Sequence, residues 1–351
     1  VQVVRYQRAD RERVFALLRD VYPPSDAARL MRQWDWKYED NPFNPDREPY
    51  ILLLQEHHQL VGMYGRLFFP AVIDGSLHLI HHGCDLVVHP AYRGRGLSAQ
   101  LRDRDLIESA IHFSWQNEAS YQAARRDGTA GVPYRALVRP LDVGVMLRHV
   151  VGDHWFTRTA SGLINGALQR LPPVRRHSGD PEVAVTRIAC FDDRFYRLWQ
   201  RCSDGYRAMI VRDQGYLEWR FSQRPGAEYY IAAATRGSDL VGYMVTRYAD
   251  RNGERRGYLV DFLVEKSEAP VFAALVAHAV DYLRQQRASL AICRLAVPPY
   301  RSMLYRHGFL PWPGAPRGYL RVRMPPQSSP SATDARQWFL TMGDGDLEMS
   351  F

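Results

Sequence analysis

The chain repeats itself, and that limits what it can fold into more than any other feature. Trp36-Lys37-Tyr38 followed by Pro42 returns 183 residues later as Trp219-Arg220-Phe221 followed by Pro225. Tyr50 and Leu60-Val61-Gly62 return as Tyr230 and Leu240-Val241-Gly242 at a spacing of 180, Asp74-Gly75 as Asn252-Gly253 at 178, and Asp85 as Asp261 at 176. Small loop deletions after a tandem duplication produce such a slowly falling offset, and four anchors in order are hard to obtain by chance. A length of 351 residues suits two domains. The expected division is a first unit at 1–150, a linker at 151–182 around Pro172-Pro173, a second unit at 183–328 and a tail at 329–351. The tail opens Pro/Ser-rich, which predicts flexibility, and Trp338-Phe339-Leu340 then predicts a short docked segment.

Periodicity makes each unit a mixed α/β structure, a central sheet with flanking helices. Residues 1–6 alternate like a strand. Asp10 offers an N-cap to a helix carrying Val14, Leu17, Leu18 and Val21, stopped by Pro23-Pro24. A second helix is expected over 27–38, paired strands over 50–55 and 60–69, a hairpin at Asp74-Gly75 and a returning strand over 79–88. A helix over 99–108, a strand over 111–115 and a helix over 117–126 follow, with strands at 134–138 and 143–147 closing the sheet and a helix over 155–171 leading into the linker. In the second unit a helix over 271–283 and a strand over 290–293 persist.

The two copies diverge at one turn. In the first, Val87-Val88-His89-Pro90-Ala91-Tyr92-Arg93-Gly94-Arg95-Gly96-Leu97-Ser98 joins a strand to a helix. Unpaired N–H groups at a helix start, together with the helix dipole, favour an anion there. Gly94 and Gly96 permit positive φ and a close ligand, and Arg93 and Arg95 supply charge, so the stretch reads as a diphosphate cradle. Gly94-x-Gly96-x-x-Ala99 also meets the relaxed dinucleotide fingerprint, but that motif belongs in a parallel βαβ unit and the segments before this turn read as hairpins. In the second copy the turn is Glu265-Lys266-Ser267-Glu268-Ala269-Pro270, with two carboxylates and no glycine, which repels a diphosphate. One working anion site and one degenerate copy are expected.

Arg93-Gly94-Arg95-Gly96-Leu97-Ser98 after Val-His-Pro resembles the acetyl-CoA signature of the GCN5-related N-acetyltransferases (GNAT), R/Q-x-x-G-x-G/A, with Ser98 where Gly or Ala is usual. The resemblance implies two tandem acyl-CoA N-acyltransferase (GNAT) folds, with acetyl-CoA as cosubstrate and no metal. The pyrophosphate would lie on Arg93, Gly94, Arg95, Gly96, Leu97 and Ser98. The pantetheine arm would run along Leu86, Val87 and Val88 and meet Asn117. Acetyl would pass directly to a primary amine of a small molecule, and the Trp-Lys-Tyr element and duplicated half are similar to polysaccharide-associated members, which suggests an amino sugar. Asp85 and Glu118 are the carboxylates nearest in sequence that can take the amine proton. The family's proton-donating tyrosine, seven residues past the Asn, is here Ala124, and Tyr121 or Tyr134 is left to substitute. Trp36 and Tyr38 fall in the region that walls the acceptor pocket. Two alternatives stay open, a non-catalytic acyl-CoA-binding module and a tandem aminoacyl-type transferase.

Composition removes other classes. The net charge of +8 is almost all arginine, Lys37 and Lys266 being the only lysines, and acidic residues are interspersed, which disfavours nucleic-acid binding. Cys84, Cys190, Cys202 and Cys293 lack metal or disulfide spacing and are expected as reduced core residues. His57-His58, His78, His81-His82 and His89 are expected at the surface or in hairpins, since neighbours on a strand face opposite ways and do not converge on one ion. No apolar run is long enough to span a membrane and no leader pattern opens the chain, so a cytoplasmic protein is expected.

Overall fold

The computed structural model describes residues 1–108, 111–124, 131–142, 144, 182–251, 253–295, 297–312, 318–325 and 334–347. The first half runs β1 (Gln2–Arg5), α1 (Arg11–Val21), α2 (Pro24–Arg32), a π-helical turn (Asp35–Glu39), β2 (Ile51–Glu56), β3 (Gln59–Ile73), β4 (Ser76–Val88), α3 (Leu97–Glu108), β5 (His112–Asn117), α4 (Glu118–Ala124), β6 (Val132–Tyr134) and β7 (Leu137–Pro140). The second runs β8 (Val183–Ile188), a helix (Asp193–Ser203), β9 (Ala208–Ile210), a second π-helical turn (Glu218–Ser222), β10 (Tyr230–Arg236), β11 (Asp239–Arg251) and β12 (Glu254–Val264). Helix Ala269–Gln285, β13 (Leu290–Cys293), helix Pro298–Arg306, β14 (Leu310–Pro311), β15 (Gly318–Arg323) and β16 (Trp338–Phe339) complete it. The expected helix at 155–171 and most of the linker lie outside the described residues, as do Asn252 and the Pro/Ser-rich start of the tail.

Local chemistry explains these elements. Val14, Leu17 and Leu18 lie on one stripe of α1 and are buried. Asp10 does not cap that helix; its carboxylate accepts the Gln7 N–H at 3.0 Å and closes the turn before it. The expected 27–38 helix ends early, and the chain widens into the π-helical turn, where Asp40 N–H donates to the Asp35 carbonyl at 2.7 Å. β2 is apolar on both faces because both are covered. Ile51 and Leu53 join the main core, whereas Leu52 and Leu54 pack with Val61, Tyr64, Leu97 and Leu101 beneath α3.

Sheet membership cuts across chain order. The first sheet runs β1-β2-β3-β4-β5-β15-β6, with β9 on β3 and β16 on β9, and the second runs β14-β7-β13-β12-β11-β10-β8. The halves thus exchange strands. β7 of the first half pairs with β13, and β15 of the second lies between β5 and β6. Residues 134–138 therefore do not close the first sheet: Tyr134 ends β6 in the first and Leu137 begins β7 in the second.

The two π-helical turns meet at the seam. Trp36 and Trp219 stack at 5.1 Å and 21°, and each indole N–H donates to the other's carbonyl, at 2.7 and 3.2 Å. The repeat seen in the sequence is thus a pseudo-twofold contact. The tail is docked as expected, and Trp338 through Asp344 are buried between the halves. There Asp344 accepts from Arg212 at 2.7 Å, Thr341 donates to Asp261 at 2.7 Å, and Gly343 N–H donates to the Val260 carbonyl at 2.8 Å.

Candidate active site

Past Val88 the chain makes one 3-10 turn (Pro90–Tyr92) and then the glycine turn that opens α3. Gly94 and Gly96 have φ of 80° and 74°. An added Cβ would meet no atom within 4 Å at either, so both positions require left-handed backbone rather than room. Beside the turn is a groove of about 440 Å³, lined by eight of the ten residues expected to hold the cofactor: Leu86, Val87, Val88, Arg93, Gly94, Gly96, Leu97 and Ser98. Arg95 is not in its wall; its guanidinium lies over the Tyr92 ring at 4.9 Å. Asn117 lines a neighbouring cavity instead, where its Oδ1 accepts the Ser120 N–H at 2.8 Å. Val21, Tyr22, Tyr92, Arg102 and Ser120 complete the groove, Tyr22 at the end of α1 and Arg102 on α3 without any signal in the motif.

The second cavity, of about 310 Å³, arises where β4 and β5 part. They pair only at His81 with His112 and His82 with Phe113. Beyond that β4 bulges, its pairing passing from Cys84 opposite Gly65 to Val87 opposite Met63, with Asp85 at φ 49°. Tyr22, Leu86, Arg102 and Ser120 line both cavities, so the groove leads into the slot. Two of the slot's walls come from the far half: Arg321 on the exchanged β15 and Asp346 from the tail.

Asp85 is bound by two donors. Its Oδ2 accepts from the Lys37 ammonium at 2.7 Å and the Tyr38 hydroxyl at 2.6 Å. Burial works against the charge on Lys37, but Asp85 more than offsets it and raises the lysine above its ordinary pKa. Tyr22 is pushed up to about 12 by burial and then by Asp85, so its phenol keeps its proton at neutral pH. Asp346 is bound by His82 Nε2 at 2.8 Å, while Nδ1–H of that ring donates to the Phe113 carbonyl at 3.2 Å. Burial would raise the Asp346 carboxyl, yet His82 and Lys37 hold it down at about 2. On the opposite side of the sheet Asp105 accepts from Arg66 at 2.6 Å, with His81 at 3.3 Å and His112 at 3.7 Å.

Asp105, His81 and His112 place ligand atoms within 4.8 Å of one another, a cluster that spacing did not reveal. Arg66 already occupies the carboxylate, so a dication there would meet a guanidinium, and the cluster works as a buried polar network. The histidine expectation needs correcting: His81 and His82 do face opposite ways, but both are buried. Cys190 is likewise exposed rather than in the core.

Of the expected catalytic residues only Asp85 reaches the slot. Glu118 accepts from Gln122 and from the Tyr319 hydroxyl, both at 2.7 Å, and Tyr121 stacks on Tyr319 at 3.8 Å. Tyr134 is buried edge-on against Trp115 at 5.1 Å. These three brace β15. Trp36 lines neither cavity and belongs to the seam, whereas the Tyr38 hydroxyl donates to Asp85.

In the second half the counterpart of Asp85 is covered. Asp261 accepts from Arg212 at 3.1 Å, Tyr243 at 2.7 Å and Thr341 at 2.7 Å, and is 1% exposed. Arg220, in the place of Lys37, donates to the tail carbonyls of Gly343 and Gly345 at 2.8 and 3.2 Å. The tail thus covers this position in the second half.

A glycine turn opening a helix, beside two strands that part, defines an acyl-CoA N-acyltransferase type of architecture. Residues 2–115 match the model of an acetyltransferase (GNAT) domain. The chain as a whole has the tandem GNAT fold. Saccharomyces cerevisiae N-myristoyltransferase with bound myristoyl-CoA superposes with a TM-score of 0.59 at 13% identity, covering 96% of this chain and 87% of that one. A GCN5-related N-acetyltransferase from Anabaena variabilis gives 0.58 at 11% identity over 91% and 72%. A probable N-acyltransferase from Enterococcus faecalis gives 0.55 at 14% identity over 92% and 72%. No curated protein matches the chain in sequence.

Proposed function

We propose that the protein transfers an acyl group, acetyl in the simplest case, from acyl-CoA to a primary amine of a small molecule such as an amino sugar. The observation that carries this reading is the continuity of the glycine-turn groove with a polar slot, through shared Tyr22, Leu86, Arg102 and Ser120. A diphosphate on residues 93–98 would direct its arm along β4, by added-strand hydrogen bonds, toward the parting of β4 and β5. The neutral amine attacks the thioester carbonyl carbon, the carbon–sulfur bond breaks, and its electron pair leaves on the CoA thiolate. The bound ammonium gives one proton to water before attack, the nitrogen gives a second to water as the amide forms, and the thiolate gains one. Asp85 holds the incoming ammonium beside the carbonyl, and Tyr22, protonated and common to both cavities, donates to sulfur. Tyr22 takes the role for which residue 124 carries an alanine.

Acetyl-CoA should raise the melting temperature of the protein. Gly96→Glu should abolish that rise and Lys266→Glu should not. Tyr22→Phe should keep the rise while lowering thiol release with an amine panel about 10²-fold or more. Equal loss of stabilisation with both charge-altering variants would refute the single cofactor site.

A further inference from the structure

Three polar atoms on one face of β5 make no hydrogen bond among the described residues. His112 Nδ1, Ser114 Oγ and Gln116 Oε1 are buried without a hydrogen bond, and all three residues line the slot. They stand two apart on a strand, so they form one ladder of unmet polar groups. Buried polar groups are almost always satisfied, and a row of three at a cavity wall marks where a polar ligand group belongs. The charge around the ladder gives that group its sign. Arg321, opposite Ser114 in the β5–β15 register and 3% exposed, lines the same wall, as does Arg102. The slot's three carboxylates are each bound already, Asp105 by Arg66 at 2.6 Å, Asp85 by Lys37 at 2.7 Å and Asp346 by His82 at 2.8 Å. Burial, His81 and the two arginines of β15 keep His112 uncharged at neutral pH, with its Nδ1 3.7 Å from Asp105.

We infer that this wall binds a carboxylate carried by one of the reactants, with Ser114, Arg102 and Arg321 as its donors. This rests on the acyl-transfer reading. The carboxylate has two sources: the far end of a dicarboxylic acyl group on CoA, or the acceptor, which would then be an amino acid. Either way specificity is supplied by the second half, through β15.

Two comparisons separate the sources. Thiol release is measured with succinyl-CoA against butyryl-CoA on one amine, and with acetyl-CoA on α-amino acids against their decarboxylated amines. One pair should differ in kcat/KM by at least about tenfold in favour of the carboxylate. Arg321→Gln should bring that ratio close to one and Ser114→Ala should reduce it, while both variants keep the stabilisation by acetyl-CoA. That retained stabilisation shows that they fold. Parity within about threefold in both comparisons, with turnover intact, would overturn the carboxylate site and leave acyl transfer standing. Where acetyl-CoA binds without turnover, the same pairs are compared by thermal stabilisation, and parity again overturns it. Absence of any acyl-CoA binding would remove both readings together.

Discussion

The Lys37–Asp85–Tyr38 cluster shows how one residue can be found in a sequence while the groups that set its chemistry are not. Asp85 was legible because it recurs as Asp261 and heads the strand entering the motif. Lys37 was not, because a lone lysine in a helical segment reads as solvated until a partner 48 residues away is placed against it. Removing it should leave the largely buried Asp85 without its cationic partner. Lys37→Met is expected to cost about 2–3 kcal/mol in urea unfolding, less than the roughly 3–5 of a fully enclosed pair because Asp85 keeps 14% of its side chain exposed. Asp85→Asn in the same chain should recover much of that stability without restoring turnover, and a strictly additive double variant would refute the coupling. His112 makes a separate expectation on pH. Burial and then His81 push its pKa down to about 3, below an unfolded value near 6.5. The unfolded chain therefore binds the extra proton first, so stability is full above about pH 6.5 and declines as pH falls toward 3. His112→Gln should flatten the melting temperature between pH 6.5 and 4, and an unchanged slope would show that His112 does not set it.

Among the elements, the paired π-helical turns do two jobs from five residues each. One extra residue per turn swings Trp36 to the seam while Lys37 and Tyr38 reach back to Asp85. The repeat was legible, but its meaning was not: a Trp-Lys-Tyr run on an apparent helix suggests a pocket wall, since periodicity carries no information about the partner copy. Trp219→Ala should cost about 3–5 kcal/mol, the range for removing a buried large aromatic. It should also strand the Trp36 indole stacking face and lose a hydrogen bond to its carbonyl. Trp219→Phe keeps most of the area and should cost clearly less. Equal losses would mean that the seam is held elsewhere, by the Arg212, Asp261 and Asp344 network. The glycine turn was legible in full because its requirement is local, two left-handed φ values before a helix.

For the whole molecule the exchange of β7 and β15 decides why the second half exists. Its own turn has no glycine and its Asp85 counterpart lies under the tail, yet it supplies Arg321 and Asp346 to the slot. No local pattern could have shown this. β6 and β7 have three and four residues, too short for hydrophobic alternation to choose a sheet, and Tyr134 and Leu137 are buried in either assignment. Tyr121 and Glu118 were misread for the same reason, since their partner Tyr319 arrives on a strand some 200 residues later. The exchange has a direct consequence for fragments. A chain of residues 1–150 would leave β5 and β6 without the strand between them and would expose β7, which has Leu137 and Val138 buried against β13. Residues 183–351 alone would lack β7 between β13 and β14, and the tail would lose the Trp115 and His82 contacts. Each piece expressed alone should be insoluble or lack a cooperative melt, whereas the two co-expressed should assemble and regain stabilisation by acetyl-CoA. A soluble 1–150 fragment that melts cooperatively and binds acetyl-CoA would refute the exchange as an obligate feature of the fold, because the strand it donates and the strand it receives would both have proved dispensable.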